Sequence, residues 1–304
     1  MNADLTNPIF NDEEAARSHL EFLRWPNGPF CPHCGELKKI TKLGGKSHRP
    51  GLYVCKSCRQ HFTVTVGTMI EDSHIKLHKW LLAFHLMTSS KKGISALQIS
   101  RLLNITYKSA WFMGHRIREA MKPGNNGKLG GRGPVEADET FVGTKPGAKK
   151  RRGYAHKNAV LSLVERNGEV RSFYVANVTA DTLKPILKKQ VRKEAHLMTD
   201  DAGQYRIIGP EFAKHDVVAH STGEYVRDEA HTNTAESFFS IFKRGICGIY
   251  QHVSPCYLHR YTTEFDFRFN HRSNIGFNHF QRATAALKGI SGKRLTYRRI
   301  DQKI

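Results

Sequence analysis

Two pairs of cysteines constrain the fold of this chain more than any other feature. Cys31-Pro-His-Cys34 and Cys55-Lys-Ser-Cys58 are separated by 20 residues, which is within the usual spacing of a zinc site with four thiolate ligands. Four thiolates leave no open coordination position, so the pattern predicts a structural zinc rather than a catalytic one. Residues 28–68 are too few to build a core without such a staple. The alternative is four free thiols.

The net charge of the chain indicates which kind of molecule it binds. Lysine and arginine number 48 and aspartate and glutamate 27, which gives a formal net charge of +21. Basic side chains displace counterions from a phosphate backbone, so an excess of this size favours a polyanionic partner over small acidic metabolites. We therefore expect the chain to bind nucleic acid. A ribosomal or simply basic protein is the alternative.

The sequence also bears on location. It contains no run of about 18 apolar residues, as a membrane span would need, and no secretory signal pattern at its N-terminus. The C-x-x-C pairs indicate a metal site in a reducing compartment rather than a disulfide framework. We expect a cytoplasmic protein at the bacterial nucleoid, or a nuclear one if the source is eukaryotic, without a membrane partner.

Changes in hydrophobic period divide the chain into segments, and the expected fold class is multidomain α/β. Residues 1–70 contain a short helix and then the zinc ribbon, and residues 71–121 have helical periodicity. The glycine-rich residues 122–133 predict a linker. In residues 134–280, strands with a hairpin precede alternating helices and strands, which predicts a domain with a mixed sheet. Residues 281–304, with seven Lys/Arg against one Asp, predict a partly helical basic tail.

The sequence between residues 91 and 121 predicts a helix-turn-helix. A first helix, with apolar positions that include Leu97 and Leu102, is followed by a short turn and a second helix from Lys108 to Met121. Two helices joined in this way, the second of them basic, are typical of DNA-binding proteins. We expect Arg116 to contact DNA, and a plain helical hairpin is the alternative. The basic residues of the second helix are Lys108, His115, Arg116 and Arg118.

Asp138 is the first candidate metal ligand. It lies in VEADETFVG, where a strand would place it on the same face as Glu136 and Thr140, with Glu139 on the other face. A carboxylate inside a strand is unfavourable unless it is paired or binds a metal. The alternative is an exposed edge strand.

Two further acids follow in the same domain. Asp200 ends an expected strand, where α/β sheets bind ligands, although a tight turn would leave Asp201 as a competing candidate. Glu236 begins an expected helix, and Asn233 could form a capping box with it. Against that alternative, Glu236 and Lys243 fall on one polar stripe, a spacing that suits metal binding beside a phosphate contact.

The three acids together resemble the catalytic residues of the DDE transposase and retroviral integrase superfamily. There are 35 residues between Asp200 and Glu236, the spacing favoured in that superfamily, and this resemblance favours Asp200 over Asp201. The phrases ADETFVG and TDDAGQY and the segment 231–272 are similar to blocks of the insertion-sequence transposases that carry an N-terminal zinc ribbon and are related to the Merlin elements. The resemblance covers nearly the whole chain, from the ribbon to about residue 272.

The resemblance implies a fold and a reaction. The fold is an RNase H-like catalytic domain, with the first Asp on its first strand, the second just after the fourth and the Glu on a following helix. Asp138, Asp200 and Glu236 would be catalytic and would bind Mg²⁺ or Mn²⁺ during cleavage at the ends of an element and joining to target DNA. A homo-oligomer is expected because two ends must be paired. Some members of the subgroup use Asn as the third ligand, so Asn233 stays an alternative to Glu236.

Basic residues near these acids are expected to bind double-stranded DNA. The segment 144–158 holds six Lys/Arg and no acid and joins the first two expected strands; a solvated charged loop is the alternative. Lys243 matches a basic residue that DDE enzymes often carry seven residues after the Glu. The residues expected to contact DNA are Lys149, Lys150, Arg151, Arg152, Lys243, Arg244 and Arg116.

Two other functions are left open by the sequence. A DNA-binding regulator that uses only the ribbon and the helix-turn-helix would show no metal-dependent cleavage. A nuclease with the same fold would cleave DNA but would not join strands. A third alternative is a degenerate transposase that binds DNA but is inactive. The intact set of three acids argues against it.

Overall fold

A computed structural model of the chain describes residues 4–124, 126–149, 151–219, 229 and 231–296. These residues form two compact units. The first unit is built from the described parts of 1–90, 94–121 and 276–304, and the second from those of 91–93 and 122–275. The first unit therefore combines segments from both ends of the chain.

The first unit consists of a small sheet and five helices in the described ranges. A 3₁₀ turn at Pro8–Phe10 precedes helix α1. The helices are α1 (Glu13–Arg24), α2 (Leu77–Ser89), α3 (Ala96–Leu103), α4 (Tyr107–Ala120) and, near the C-terminus, α9 (His279–Lys288). The strands, which pair antiparallel in sequence order, are β1 (Ile40–Lys42), β2 (Tyr53–Cys55) and β3 (His61–Phe62).

Helix α1 completes the core of the small sheet. Trp25, the residue after α1, packs edge to face against Tyr53 and Phe62, with ring centroids 5.2 and 5.9 Å away. Tyr53 and Phe62 stack on each other at 5.7 Å. Asp12 caps α1 through the Ala15 amide at 2.7 Å. Because strands this short bury little surface alone, an aromatic residue from outside the sheet adds to its core.

Two helices joined by a short turn follow α2. A capping box between Ser95 and Gln98 begins α3, and Asn104 ends it in the left-handed conformation, with φ 48°. Thr106 then caps α4 by accepting a hydrogen bond from the Ser109 amide at 3.2 Å. The apolar positions expected in this segment also include Ile94, Ile99 and Leu103, which are buried, whereas Leu97 and Leu102 are exposed.

The basic face expected on α4 is not present. Lys108 is exposed, but Arg116 donates a hydrogen bond to the Glu71 carbonyl at 2.9 Å, and its guanidinium lies over the rings of Trp80 and Phe112. The expectation that Arg116 contacts DNA is therefore wrong, because its charge is used inside the first unit. The buried basic residues of α4 are His115, Arg116 and Arg118.

The segment expected to be a basic tail begins inside α9. This helix packs against α2 and buries Ala283, Ala286 and Leu287 on one face. Arg282 is also buried, and its guanidinium donates to the Thr88 carbonyl at 3.0 Å. Helical spacing of small and apolar residues, rather than the basic composition, decides the structure of this segment. Residues 297–304 lie outside the described part.

The second unit contains a mixed five-stranded sheet. Its spatial order is β6-β5-β4-β7-β8, with β4 antiparallel to β5, β5 antiparallel to β6, and β4, β7 and β8 parallel. This arrangement confirms the mixed α/β fold expected from the sequence. The strands are β4 (Val135–Val142), β5 (Asn158–Glu165), β6 (Val170–Val175), β7 (His196–Asp200) and β8 (Lys214–Val218).

Helices cover both faces of this sheet. One face packs with α5 (Ala180–Gln190) and α6 (Gly203–Ile208), and the other with α7 (Asn233–Gly245) and α8 (Pro255–Asn270), which are joined through a π-helical turn at Ile246–Tyr250. Side chains of β4 alternate between the two cores: Val135 and Ala137 enter the first, and Val142 enters the second. Odd-numbered residues of this central strand therefore face one helical layer, and even-numbered residues face the other.

The glycine-rich residues 122–133 are part of the second unit rather than a free linker. Leu129 is buried, its amide donates to the Gln190 carbonyl at 2.8 Å, and the Arg192 amide donates to the Leu129 carbonyl at 2.9 Å. The one large apolar residue of the segment thus anchors it beside the end of α5. Across the described ranges, every helix falls short of the length and apolarity that a membrane span requires.

Candidate active site

Asp138 and Asp200 lie side by side on neighbouring parallel strands. The register of β4 and β7 pairs Ala137 with Thr199, so the two acids occupy the next positions along it. Side chains at equivalent positions of adjacent strands project from the same face, and such strands are about 4.8 Å apart. Asp200 is the last residue of β7 and its carboxylate accepts the Ala202 amide at 3.2 Å. The sheet thus brings these two carboxylates together.

The surroundings of Asp138 make its ionisation unfavourable. Burial raises its pKa, with further contributions from the charges of Asp200 and Glu236, to about 7, although the Glu139 amide and the Lys243 ammonium act in the opposite direction. The Glu139 amide lies 2.7 Å from the Asp138 carboxylate. A bound cation would favour the ionised form.

A buried carboxylate attaches α7 to β4. Glu136 is fully buried and accepts hydrogen bonds from the Thr234 amide and hydroxyl, both at 2.9 Å, and from the Ala235 amide at 3.0 Å. Arg166 donates to the same carboxylate at 2.7 Å and to the His231 carbonyl at 2.9 Å. The amides of the first helical turn have no acceptor within the helix, so Glu136 acts as the N-terminal cap of α7.

The capping box considered for Asn233 and Glu236 is not the one that begins α7. Helix α7 begins at Asn233 with Thr232 as its N-cap residue, so the two positions of a capping box fall on Thr232 and Ala235. Asn233 and Glu236 are both exposed. Burial and then the charges of Asp200 and Glu236 raise the pKa of Asp138, whereas the Asn233 side chain is neutral.

Two of the three candidate acids, Asp138 and Asp200, face a cavity of about 600 Å³ where β4 and β7 end, and Glu236 is not among the described residues that line it. Asp138 and Asp200 line it together with Lys243, which lies two turns after Glu236 on α7. Lys157, just before β5, is another lining cation. A cavity with carboxylates on one side and ammonium groups at its rim can hold a phosphate ester beside a divalent cation.

Glu139 and Tyr205 belong to this site, although the sequence did not assign them a role. The Tyr205 hydroxyl donates to the Glu139 carboxylate at 2.6 Å, and Tyr205 is completely buried. Burial is the largest cause that raises the pKa of Glu139 to about 7, and the charges of Asp138 and Asp200 add to it. Strand periodicity places Glu139 opposite Asp138, but its burial beneath α6 depends on packing that the strand sequence does not contain.

The basic loop before β5 is exposed in its described part. Lys149, Arg151 and Arg152 are exposed, and Lys150 lies outside the described residues. Tyr154 of this loop lines the cavity and stacks on Phe141, with ring centroids 4.7 Å apart and planes 7° from parallel. The loop is therefore attached next to the carboxylates. From α7, both Lys243 and Arg244 are exposed.

Comparison with known proteins agrees with this geometry. Residues 128–270 match the family described as ISXO2-like transposase domain, and residues 11–61 match the transposase zinc-ribbon domain. The chain belongs to the insertion-sequence transposases with an N-terminal zinc ribbon. A relative from Halobacterium salinarum, described as an uncharacterized protein in transposable element ISH50, is 29% identical over 255 residues, which span 77% of this chain and 83% of the relative. The resemblance inferred from the sequence is confirmed.

The zinc ribbon of the transposase has the geometry of a four-thiolate site. The Sγ atoms of Cys31 and Cys58 are 3.6 Å apart and those of Cys34 and Cys55 are 3.7 Å apart, and all four lie within 4.8 Å of one another. A tetrahedron with Zn–S bonds of about 2.3 Å requires sulfur separations of about 3.8 Å. The four cysteines therefore fit a structural zinc ion.

The acids of the transposase cavity are less tightly grouped. Within the described residues, the four cysteines are the one set of three or more metal-binding side chains whose ligand atoms converge this closely. Carboxylates of like charge repel one another without a cation between them. Their oxygen atoms are nevertheless the ligands that Mg²⁺ prefers, so the donor chemistry of Asp138 and Asp200 fits such an ion. Transposase and zinc-ribbon domains together imply DNA as the polyanionic partner.

Proposed function

We propose that this transposase cleaves DNA at the ends of its element and joins those ends to target DNA, with Asp138, Asp200 and Glu236 as its catalytic carboxylates. The observation that carries the proposal is the placement of Asp138 and Asp200 on one face of adjacent strands, at a cavity that Lys243 also lines. The effect of the Glu236 charge on Asp138 supports including the third acid.

The order of the strands supports an RNase H-like catalytic domain. Strand β4, which carries Asp138, is the first strand of this sheet along the chain and lies at its centre. Strand β7, which ends at Asp200, is the fourth, and Glu236 follows on α7. These are the positions that the DDE superfamily resemblance implies for its two aspartates and its glutamate.

The carboxylates would serve as ligands of Mg²⁺ or Mn²⁺. Asp138 and Asp200 would be shared ligands and Glu236 the third. Two such ions, when bound, activate the attacking oxygen and stabilise the leaving oxygen of an in-line displacement at phosphorus. Lys243 would hold a phosphate oxygen at the cavity, and the loop with Lys149, Lys150, Arg151 and Arg152 would guide the DNA backbone towards it.

The first unit would bind DNA as well. We assign end binding to the zinc ribbon and to the turn between α3 and α4, where Arg101 and Lys108 are exposed, as a helix-turn-helix variant without Arg116. Pairing of two ends would require a homo-oligomer. A zinc site built from thiolates requires reducing conditions, which suits the cytoplasm.

Strand transfer tests the proposal. Purified protein and Mg²⁺ would be incubated with a supercoiled plasmid and a labelled duplex that carries the element's end. We expect the wild type to join the labelled end, and Asp138→Asn, Asp200→Asn and Glu236→Gln to lose joining by at least about 100-fold while still binding DNA. Asp201→Asn and Asn233→Ala are the matched controls and should stay active.

Each other outcome points to a definite alternative. Cleavage without joining would support the nuclease. Binding of the end without chemistry by the wild type would support the DNA-binding regulator. Loss of joining in Asn233→Ala but not in Glu236→Gln would transfer the role of third ligand to Asn233.

A further inference from the structure

The second unit has another charged cleft, at the opposite end of strand β5 from the carboxylate cavity. The cavity is lined by Lys157, which directly precedes β5, whereas the cleft, of about 220 Å³, is lined by Glu165, the last residue of β5. Lys157 lies eight positions before Glu165, about 26 Å away, whereas Asp138 pairs with Ser162, which is only three positions or about 10 Å from Glu165. The charged residues that line the cleft are Lys128, Arg132, Arg171, Arg192, Glu165 and Glu169.

The carboxylate of Glu165 is used within the protein. One of its oxygens accepts the amides of Gly130, Gly131 and Arg132, each at 2.8 Å. Three amide donors on one oxygen satisfy most of its hydrogen-bonding capacity and disperse its charge. Glu165 therefore holds the loop in place, and the cleft keeps a positive balance because four cations line it against two carboxylates.

The second acid of the cleft is paired in a similar way. Glu169 accepts hydrogen bonds from Arg171 and from the Asn126 side chain, both at 3.1 Å. Arg171 also donates to the Gly127 carbonyl at 2.7 Å and to the Gln190 side chain at 2.9 Å. The acid and the guanidinium thus compensate each other inside the wall of the cleft.

Three exposed cations remain. Lys128 donates to the Lys188 carbonyl at 2.8 Å, a neutral acceptor that leaves its charge uncompensated. Arg132 and Arg192 are exposed, and among the described residues neither forms an ion pair. The Arg192 guanidinium lies close against Gly131, where an added Cβ would be only 3.2 Å from its central carbon. The absence of a side chain at Gly131 therefore allows the guanidinium to lie against the loop.

We infer that this cleft binds the phosphate backbone of double-stranded DNA, with Lys128, Arg132 and Arg192 as the contacts. The inference rests on the proposed function, because it adds a second contact to a DNA substrate engaged at the carboxylate cavity. One guanidinium group can donate two hydrogen bonds to the oxygens of a phosphate, and the offset of about 10 Å along the sheet between Asp138 and Glu165 corresponds to about three base-pair steps of duplex. Two lysines near Arg192 in the sequence, Lys189 and Lys193, are exposed as well.

Salt-dependent binding tests this inference. Fluorescence anisotropy would give the Kd of a labelled 40-base-pair duplex at several KCl concentrations without Mg²⁺, in an Asp138→Asn background that excludes cleavage. Each phosphate contact contributes about 0.9 to the slope of log Kd against log salt. We expect Arg132→Gln/Arg192→Gln to lower that slope by about 2. A slope equal to that of the parent protein would overturn the inference.

A matched variant distinguishes the loss of a contact at the cleft from a general loss of positive charge. Lys184→Gln/Lys214→Gln removes two charges from the same unit, at residues that pair with Glu211 and Asp216, and should leave the slope within about 0.5 of the parent value. An equal fall in both variants would also overturn the inference. Circular dichroism melting curves would establish that both variants are folded.

Two DNA probes distinguish the source of the phosphates. One duplex carries the element's end and the other has an unrelated sequence. A loss confined to the end duplex identifies the element's own flank as the occupant, and an equal loss for both identifies duplex DNA of any sequence, as target DNA would be. Because no chemistry is measured, a chain that binds DNA at this cleft but never joins strands would retain this inference while the proposed function failed.

Discussion

At the residue scale, Glu136 is a buried acid that holds two elements together. It is fully buried in a strand, yet it accepts four hydrogen bonds from Thr234, Ala235 and Arg166. A buried charge is tolerated only when it is compensated in this way. Its position two residues before Asp138 means that one strand both carries a candidate ligand and orients the helix that carries another.

Replacing Glu136 should therefore loosen the start of α7. Glu136→Gln keeps the shape but leaves Arg166 without its anionic partner, and we expect the free energy of unfolding to fall by about 3 kcal/mol. Hydrogen exchange of the Thr234 and Ala235 amides should accelerate. The control is Glu169→Gln, whose partly exposed pair with Arg171 should contribute less than about 1 kcal/mol. Unchanged protection of both amides would contradict the assigned cap.

The raised pKa values of Asp138 and Glu139 predict a pH effect on stability. Both carboxyl groups titrate near 7 in the folded chain and near 4 when unfolded, so folding favours their protonated forms. Their contribution is complete below about pH 4 and is lost as the pH rises to about 7. In magnesium-free buffer, Asp138→Asn should flatten the fall in melting temperature between pH 5 and pH 8, and Glu194→Gln, at an exposed position, should not. A steep fall in both would contradict this assignment.

How far the sequence predicts the site depends on the distance between partners. Asp138 and Asp200 lie in local patterns, a strand and its end, although the preference for Asp200 over Asp201 comes from the family resemblance. The role of Glu136 is not, since its partner Thr234 lies 98 residues later. The burial of Arg116 is likewise decided by distant residues. Its charge predicts an exposed side chain, but its contacts with Trp80 and Glu71 bury it.

At the scale of the element, α9 shows why composition misleads. Its lysines and arginines suggest a solvated tail, yet Leu287 on its other face is buried. Leu287→Ala should lower the stability of the first unit by about 2–5 kcal/mol, because it leaves a cavity. Tryptophan fluorescence during urea unfolding would measure the change, since all three tryptophans lie in that unit. Lys288→Ala, at an exposed position, should change stability by less than about 0.5 kcal/mol, and equal effects would contradict the packing of α9.

The structure of the zinc ribbon is expected to depend on its bound ion. Cys34→Ser should abolish binding of one zinc ion per chain, measured by metal analysis, because a tetrahedral site cannot form from three thiolates alone. The emission of Trp25 should change as well, since its partner Tyr53 belongs to the strand that ends at Cys55. Cys247→Ser should retain full zinc content. Equal zinc in both variants would contradict the assignment of the four ligands.

At the scale of the whole molecule, the sequence predicts which elements are present better than it predicts which segments of the chain belong to each unit. The ribbon, the helical segment and the mixed sheet are each recognisable from period and spacing. The return of α9 to the helices of the first unit, and the inclusion of residues 122–133 in the second, depend on tertiary burial at Leu287 and Leu129. Such long-range pairings leave no periodic signal in the chain.

The net charge of +21 predicts strongly salt-dependent DNA binding. With 6–10 phosphate contacts, the affinity should fall by about 10³–10⁵ between 50 and 200 mM KCl. Replacing Lys149, Arg151 and Arg152 by Gln should reduce the slope by about 3, and Lys214→Gln should leave it unchanged. Titration of a labelled duplex at four salt concentrations measures this, and an affinity that is insensitive to salt would contradict the electrostatic basis of binding.

The discontinuous first unit has a consequence for synthesis on the ribosome. Helices α1 to α4 emerge early, but α9, which covers α2, is translated only after the whole second unit. Residues 122–275 can therefore complete their sheet while the helices before them still lack a partner, and domains generally fold as units in the order in which they emerge. A nascent or prematurely terminated chain would thus hold a completed second unit attached to a first unit that still lacks α9.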